Sequence, residues 1–192
     1  VAAVFNNNGT GQRGDLRAVV RAILLHPQAQ ATGNRAGKVR EPVLRLSAYL
    51  RAFPHVSDTG FWRVGNTDSA TNSLGQTPLR SPSVFNFYRP GYVPPGTEAA
   101  AGGLAAPEMQ IAHETTAAGY VNYMRDNITS GVGQSNGTVN GVVLNRRDLQ
   151  ADFSAEVALA DQPPALIERI NAKLMVGAMP AELKAENQGA IE

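Results

Sequence analysis

No cysteine occurs among the 192 residues, which removes disulfides, thiolate metal sites and a cysteine nucleophile together and leaves the redox compartment open. No apolar run approaches the ~20 residues that a membrane-spanning helix requires, so none is expected. Lysine is scarce, standing only at positions 38, 173 and 184. The opening residues, VAAVFNNNG, carry neither an initiator methionine nor a signal-peptide pattern, which fits a processed chain or a piece of a longer protein. Two catalytic signatures are missing as well: the H-E-x-x-H of zinc hydrolases and the G-x-S-x-G elbow of α/β-hydrolases.

What is present suffices for a packed core. Hydrophobic residues make up 43% of the chain, and its length suits a single domain over residues 1–192. The net charge of +1 gives no overall signature of a nucleic-acid binder. Along the chain the charge is uneven: residues 1–96 hold eleven Lys/Arg against four Asp/Glu (+7), and residues 97–192 hold six against twelve (−6). Halves of opposite sign are expected to pack with complementary surfaces, a basic face for a polyanion being the lesser alternative.

The periodicity is helical. In GDLRAVVRAILLHP, residues Leu16, Val19, Val20, Ile23 and Leu24 share one face, with Asp15 as N-cap and Pro27 as the stop. A polar link to residue 40 follows. PVLRLSAYLRAF, opened by Glu41 and Pro42 and closed by Pro54, makes a second stripe from Val43, Leu46, Leu50 and Phe53, with Arg45 and Arg51 pointing away. A third helix is expected over APEMQIAHETTAAGYVNYMRDNI, with Met109, Ala112, Thr116, Ala117, Tyr120 and Met124 inward and Gly119 admitting a neighbouring backbone. Three shorter helices should span about 146–160, 164–176 and from Pro180 onward, with Gly177 ending the middle one and Leu166, Ile167, Ile170 and Leu174 buried. Between them SGVGQSNGTVNG holds two Asn-Gly pairs, the signal for a small hairpin near 134–144 inside an insertion loop at 129–145. Residues 55–106 read as ordered irregular structure with one helical turn near 69–74. The class is therefore all-α, an irregular helical bundle carrying a long ordered loop rich in proline and aromatics.

Four blocks of this sequence, NNNGTGQRGDLRAVVRAILLHP, GKVREPVLRLSAYLRAF, LGQTPLRSPSVFNFYRPGYVPPGT and LAAPEMQIAHETTAAGYVNYM, together resemble the C-terminal part of the bacterial family catalogued as domain of unknown function 1800. The resemblance implies a mostly helical fold, a secreted or periplasmic setting, and a missing N-terminal region of a longer parent protein as a partner. It implies no particular activity.

Several constellations invite chemistry. GTGQRG at 9–14 has the form of a dinucleotide fingerprint, but no second strand ending in a ribose-binding acid follows, so helix entry explains it, and Asp15 explains the adhesion-like Arg-Gly-Asp. Asn6, Asn7, Asn8 and Asp15 offer calcium only one carboxylate. His26, His55 and His113 are too dispersed for a metal pair, and neither a metal nor a cofactor is expected. His26 should close its helix, where an imidazolium meets the negative dipole end. His113 falls near a buried stripe and is the best general-base candidate, with Glu108 or Glu114 nearby and Ser81 or Ser83 as nucleophile if the Pro-rich loop folds over its helix. A glycosidase pair drawn from Glu108, Glu114 and Asp126 has the ordinary spacing of a solvated helix face.

In LGQTPLRSPSVFNFYRPGY, Pro78, Pro82 and Pro90 stiffen a platform that should hold Phe85, Phe87, Tyr88 and Tyr92 over the helical core. As a recognition surface for an aromatic or carbohydrate-like ligand it would use Arg80, Asn86, Tyr88, Arg89 and Tyr92. The leading expectation is an exported binding or scaffolding module, and the alternative is an extracellular serine-dependent hydrolase of aromatic or plant-polymer esters. Exposed apolar surface left by absent sequence would favour self-association.

Overall fold

Asp15 opens the first amphipathic helix as its type and place predict. In the computed structural model, which describes residues 1–31 and 39–191, its carboxylate accepts the Ala18 amide at 3.1 Å and the Asn8 side chain at 2.8 Å. The helix is α2 (Leu16–Leu24), and short α1 (Ala2–Asn6) and α3 (Pro27–Gln30) pack beside it. Asn7 and Asn8 turn their side-chain oxygens onto the amides of Gly9, Gly11, Thr10 and Gln12, which engages the oxygens that a calcium ion would need. His26 corrects its expectation: its Nδ1 accepts the Gln28 amide at 3.2 Å, so it caps the start of α3 instead of closing α2. The polar link expected before residue 40 lies in large part outside the described residues.

The apolar face of α2 is a larger correction. Leu16, Val20, Ile23 and Leu24 are 67, 53, 46 and 63% exposed, whereas Ala18, Val19 and Ala22 are half-buried. The helix packs through its small residues and leaves the large ones open. Amphipathicity records which face could be covered, and here nothing described covers it.

The core forms around α4 (Pro42–Ala52). Its Leu46 and Tyr49 and the capping Phe53 are buried with Leu74, Val132 and Leu149, against half-buried Tyr120, Tyr123, Met124, Phe153 and Ile170. Arg45 lies across the Tyr120 ring, 5.2 Å from its centroid, so its cation covers an aromatic face. The long irregular stretch contains α5 (Glu98–Ala101) and the expected helical turn, where the Ser73 amide donates to Ser69 O at 3.0 Å. It also contains a strand that periodicity did not show: β1 (His55–Ser57) pairs antiparallel with β4 (Leu149–Ala151), His55 opposite Ala151.

The third expected helix is broken. Pro107–Ile111 form a 3₁₀ turn, and α6 (Glu114–Ser130) starts afresh after His113. Thr116 fixes the break, its hydroxyl donating to Ile111 O at 2.6 Å and accepting the His113 amide at 2.9 Å. After α6, β2 (Thr138–Val139) and β3 (Val142–Val143) form the expected hairpin, with Asn140 and Gly141 both left-handed as a two-residue turn of this kind requires. The segment is no mere appendage, since Val132 within it is fully buried and bridges Leu149. The helix expected at 146–160 is instead β4 followed by short α7 (Ser154–Val157).

α8 (Pro163–Met175) and α9 (Ala181–Ile191) close the chain, α8 ending where Val176 and Gly177 turn left-handed. Ile167 is buried as expected, with Leu166, Ile170 and Leu174 half-buried. Buried Glu156 of α7 is met by Arg169 at 2.5 Å and Lys173 at 2.9 Å, and the Lys173 ammonium sits 4.6 Å over Phe53. The architecture is mainly helical with two small antiparallel strand pairs. None of its described helices is long and apolar enough to cross a membrane.

Gly119 does what its position in α6 suggested. A Cβ there would sit 2.3 Å from Ala70 O and 2.9 Å from the Thr71 carbonyl carbon, so the irregular stretch rests directly on the helix. Gly119→Ala should therefore destabilise by about 2 kcal/mol through backbone displacement, lowering Tm by roughly 4–8 °C. An unchanged thermal melt would show that the two segments do not touch.

Candidate functional site

The Pro-rich loop at residues 74–92 is the first candidate surface. Both of its ends are clamped. Leu74 and Gln76 are buried, and Gln76 receives the Val43 amide at 3.1 Å while its own amide donates to Glu41. Tyr88 donates to Glu41 at 2.9 Å, the Arg89 amide donates to Gln110 at 2.7 Å, and Tyr92 O accepts the Ala106 amide at 2.9 Å. Between these anchors the loop projects. Leu79, Val84 and Phe85 are 104, 95 and 78% exposed, so Phe85 does not cap the core, and Leu79 and Asn86 are left-handed.

The proposed ligand contacts do not converge. Arg80 pairs with Asp68 at 2.6 Å, Tyr88 is turned inward onto Glu41, and Asn86 and Arg89 lie exposed. Tyr88 is nonetheless distinctive: desolvation first, then its bond to Glu41, push its phenol up to about 12. Beside it runs an apolar groove of about 250 Å³ lined by Pro42, Arg45, Met109, Ala117 and Tyr120, with Glu108 at its edge. None of the five proposed contact residues lines it.

The hydrolase constellation is not assembled either. Ser81 donates to Ser83 O at 3.0 Å, and the Ser83 hydroxyl accepts the Phe85 amide at 3.1 Å, both within the loop's own turn. His113 is exposed at the head of α6, not near a buried stripe, because the 3₁₀ break shifts the helical phase. No hydrogen bond joins either serine to a histidine among the described residues. Glu108 is half-buried in the 3₁₀ turn. Among the described residues no group of three or more His, Cys, Asp or Glu could hold a metal.

The most constrained polar site is one that sequence reasoning missed. Asp148, 1% exposed at the edge of β4, reaches across to the turn after β1. Its carboxylate accepts the Thr59 amide at 2.8 Å, the Thr59 hydroxyl at 3.0 Å and the Ser57 hydroxyl at 3.0 Å, while its carbonyl accepts the Asp58 amide at 3.0 Å. The same hydroxyls accept from the turn itself: Ser57 from Gly60 at 2.9 Å and Trp62 at 3.4 Å, Thr59 from Phe61 at 3.2 Å. Burial acts to raise the Asp148 pKa, but the bonds from Thr59, Ser57 and the Arg63 amide outweigh it and hold the carboxyl below its usual range. On this turn stand Phe61 and Trp62, 54 and 55% exposed, with Trp62 left-handed at φ 54°. Next to them Arg146 grips Asp58 in a two-point pair at 2.7 and 2.8 Å. The partners of Asp148 lie 89 and 91 residues away, so no local spacing announces them.

Two outcomes follow from these geometries. Asp148→Asn should lose about 1–3 kcal/mol at neutral pH, since charge-assisted bonds to buried donors are weakened. Because the folded carboxyl lies below 3.8, its stabilisation is present above that value and lost as pH falls through the folded pKa, so urea melts should show the two proteins converging at the acid end. A constant gap would contradict the assignment. For Tyr88, the ring-carbon NMR shift should stay that of a neutral phenol up to about pH 11, the raised pKa adding stability below pH 10 that fades as pH climbs toward 12. A midpoint near 10 would show the phenol to be in ordinary solvent.

No curated protein and no solved structure matches the chain. A family model described as "Protein of unknown function (DUF1800)" matches residues 1–192, and the chain belongs to that family.

Proposed function

We propose that this chain is an exported bacterial helical module that offers a binding or scaffolding surface to an apolar partner polypeptide. The observation that carries the reading is α2, a capped helix whose large apolar residues face outward. Surfaces of this kind mark docking sites more often than chance, because uncovered apolar area costs free energy in water. The stiff loop tip bearing Leu79, Val84 and Phe85 adds a second apolar element, and Pro78 and Pro82 limit the entropy lost when it docks. Two sources supply the same partner chemistry: further sequence of a longer parent chain, and a second copy. The exported setting rests on the family resemblance.

Leu16→Ser combined with Leu24→Ser tests the reading. Far-UV circular dichroism should be unchanged, while fluorescence of a bound apolar dye such as ANS should fall by about half. Concentration-dependent sedimentation that disappears in the variant would identify a second copy as the partner. Dye binding unaltered by the substitutions, or loss of the helical signal, would overturn the docking role. Turnover of a chromogenic aromatic ester that vanishes in His113→Ala would overturn it in favour of a hydrolase.

A further inference from the structure

The turn at residues 57–62 combines three features that folding alone does not require together. Four of its backbone amides, those of Thr59, Gly60, Phe61 and Trp62, are held by the side chains of Asp148, Ser57 and Thr59, and Asp148 in turn holds both hydroxyls. It places a non-glycine residue, Trp62, in the left-handed region that only glycine adopts freely. The ring held there is not buried, so no core packing offsets the strain; Trp62 is 55% exposed and its neighbour Phe61 54%. Strain held at an exposed side chain by an over-determined turn points to recognition.

We infer that this turn is a carbohydrate-binding subsite, in which Trp62 and Phe61 lie against the apolar face of a sugar ring. Size favours a small ligand: two rings half exposed offer roughly 200 Å², against the ~800 Å² per partner of a stable protein interface. The polar surroundings favour hydroxyl groups. Beyond their two-point pair Asp58 keeps acceptor capacity and Arg146 donor capacity, and the Asn140 amide, 3.5 Å from Thr59 O, offers both. A sugar hydroxyl both donates and accepts and so suits this mixture. A phosphate-bearing ligand suits it less, because the Asp58 carboxylate offsets the Arg146 charge and would itself repel an anion, and the Arg63 guanidinium lies over Phe61 at 5.6 Å. This surface is separate from α2 and the loop tip, and the inference stands without the docking role proposed for them.

Trp62 is the only tryptophan in the chain, so intrinsic fluorescence reports on this turn directly. Titration with cello-, xylo-, chito- and malto-hexaoses should give a saturable blue shift with at least one of them. Sedimentation with the corresponding insoluble polysaccharide should then show Trp62→Ala and Trp62→Gly bound at least tenfold more weakly, Trp62→Tyr partly retained, and Val157→Ser, at an exposed position of α7, unchanged. Trp62→Gly should also melt at or above the wild-type temperature, because glycine relieves the left-handed strain. A tryptophan kept only for structure would give the opposite pair, lower stability and unaltered binding. The inference is overturned if no oligosaccharide shifts the emission, if a nucleotide or a peptide does so instead, or if Trp62→Ala sediments like wild type.

Discussion

A carboxylate shut away from water must be met by donors, and the way Asp148 is met organises much of this molecule. One side chain just before β4 joins the turn after β1 through the Thr59 amide and two hydroxyls. Those hydroxyls then accept the amides of Gly60, Phe61 and Trp62, so each bond orients the group that makes the next. Three-residue strands are weak by themselves. Here the β1–β4 ladder is reinforced by this network on one side and by the Val132–Leu149 bridge on the other. The close passage of Gly133 against Arg63 O, where a Cβ would come within 2.1 Å, draws the same three segments together.

Around that hard point the helices divide by how they use their apolar faces. α4 buries Leu46 and Tyr49, and α8 buries Ile167, because each lies against another element along its length. α2 half-buries Ala18, Val19 and Ala22 and exposes its large residues. The loop over residues 74–92 divides in the same way, its ends held by Glu41, Gln110 and Ala106 and its middle standing in solvent. The surfaces proposed for recognition are ones that the fold stiffens without covering, and a rigid surface of this kind binds with little loss of conformational entropy.

What could be read from the sequence was whatever is local. The Asp15 cap, the start of α4 at Pro42, the end of α8 near Gly177 and the Asn140–Gly141 hairpin each depend on a few adjacent residues, and each stands where the residue types place it. Gly119 was legible too, because a glycine inside a helical stripe has little other reason to be there. The misreadings share one physical origin. Periodicity reports that a face is apolar and is silent on whether anything covers it, which is why α2 looked like core. Thr116 ends one helical run and starts another, a hydroxyl effect that a hydrophobic stripe cannot register, and so His113 was assigned to the wrong face. The candidate site was the least legible part, since Asp148 and its partners meet only after ninety residues of chain have folded back and neither strand alternates long enough to show itself.

Amide hydrogen exchange tests the central claim, that Asp148 makes the turn at 57–62 a rigid point of the structure. The account predicts that the Thr59 amide, bonded to a buried carboxylate, exchanges as slowly as those of Val132 and Leu149 and far more slowly than the amides of Leu79 and Val84 in the loop tip. Exchange at Thr59 as fast as in the loop tip, with Val132 and Leu149 still protected, would contradict it.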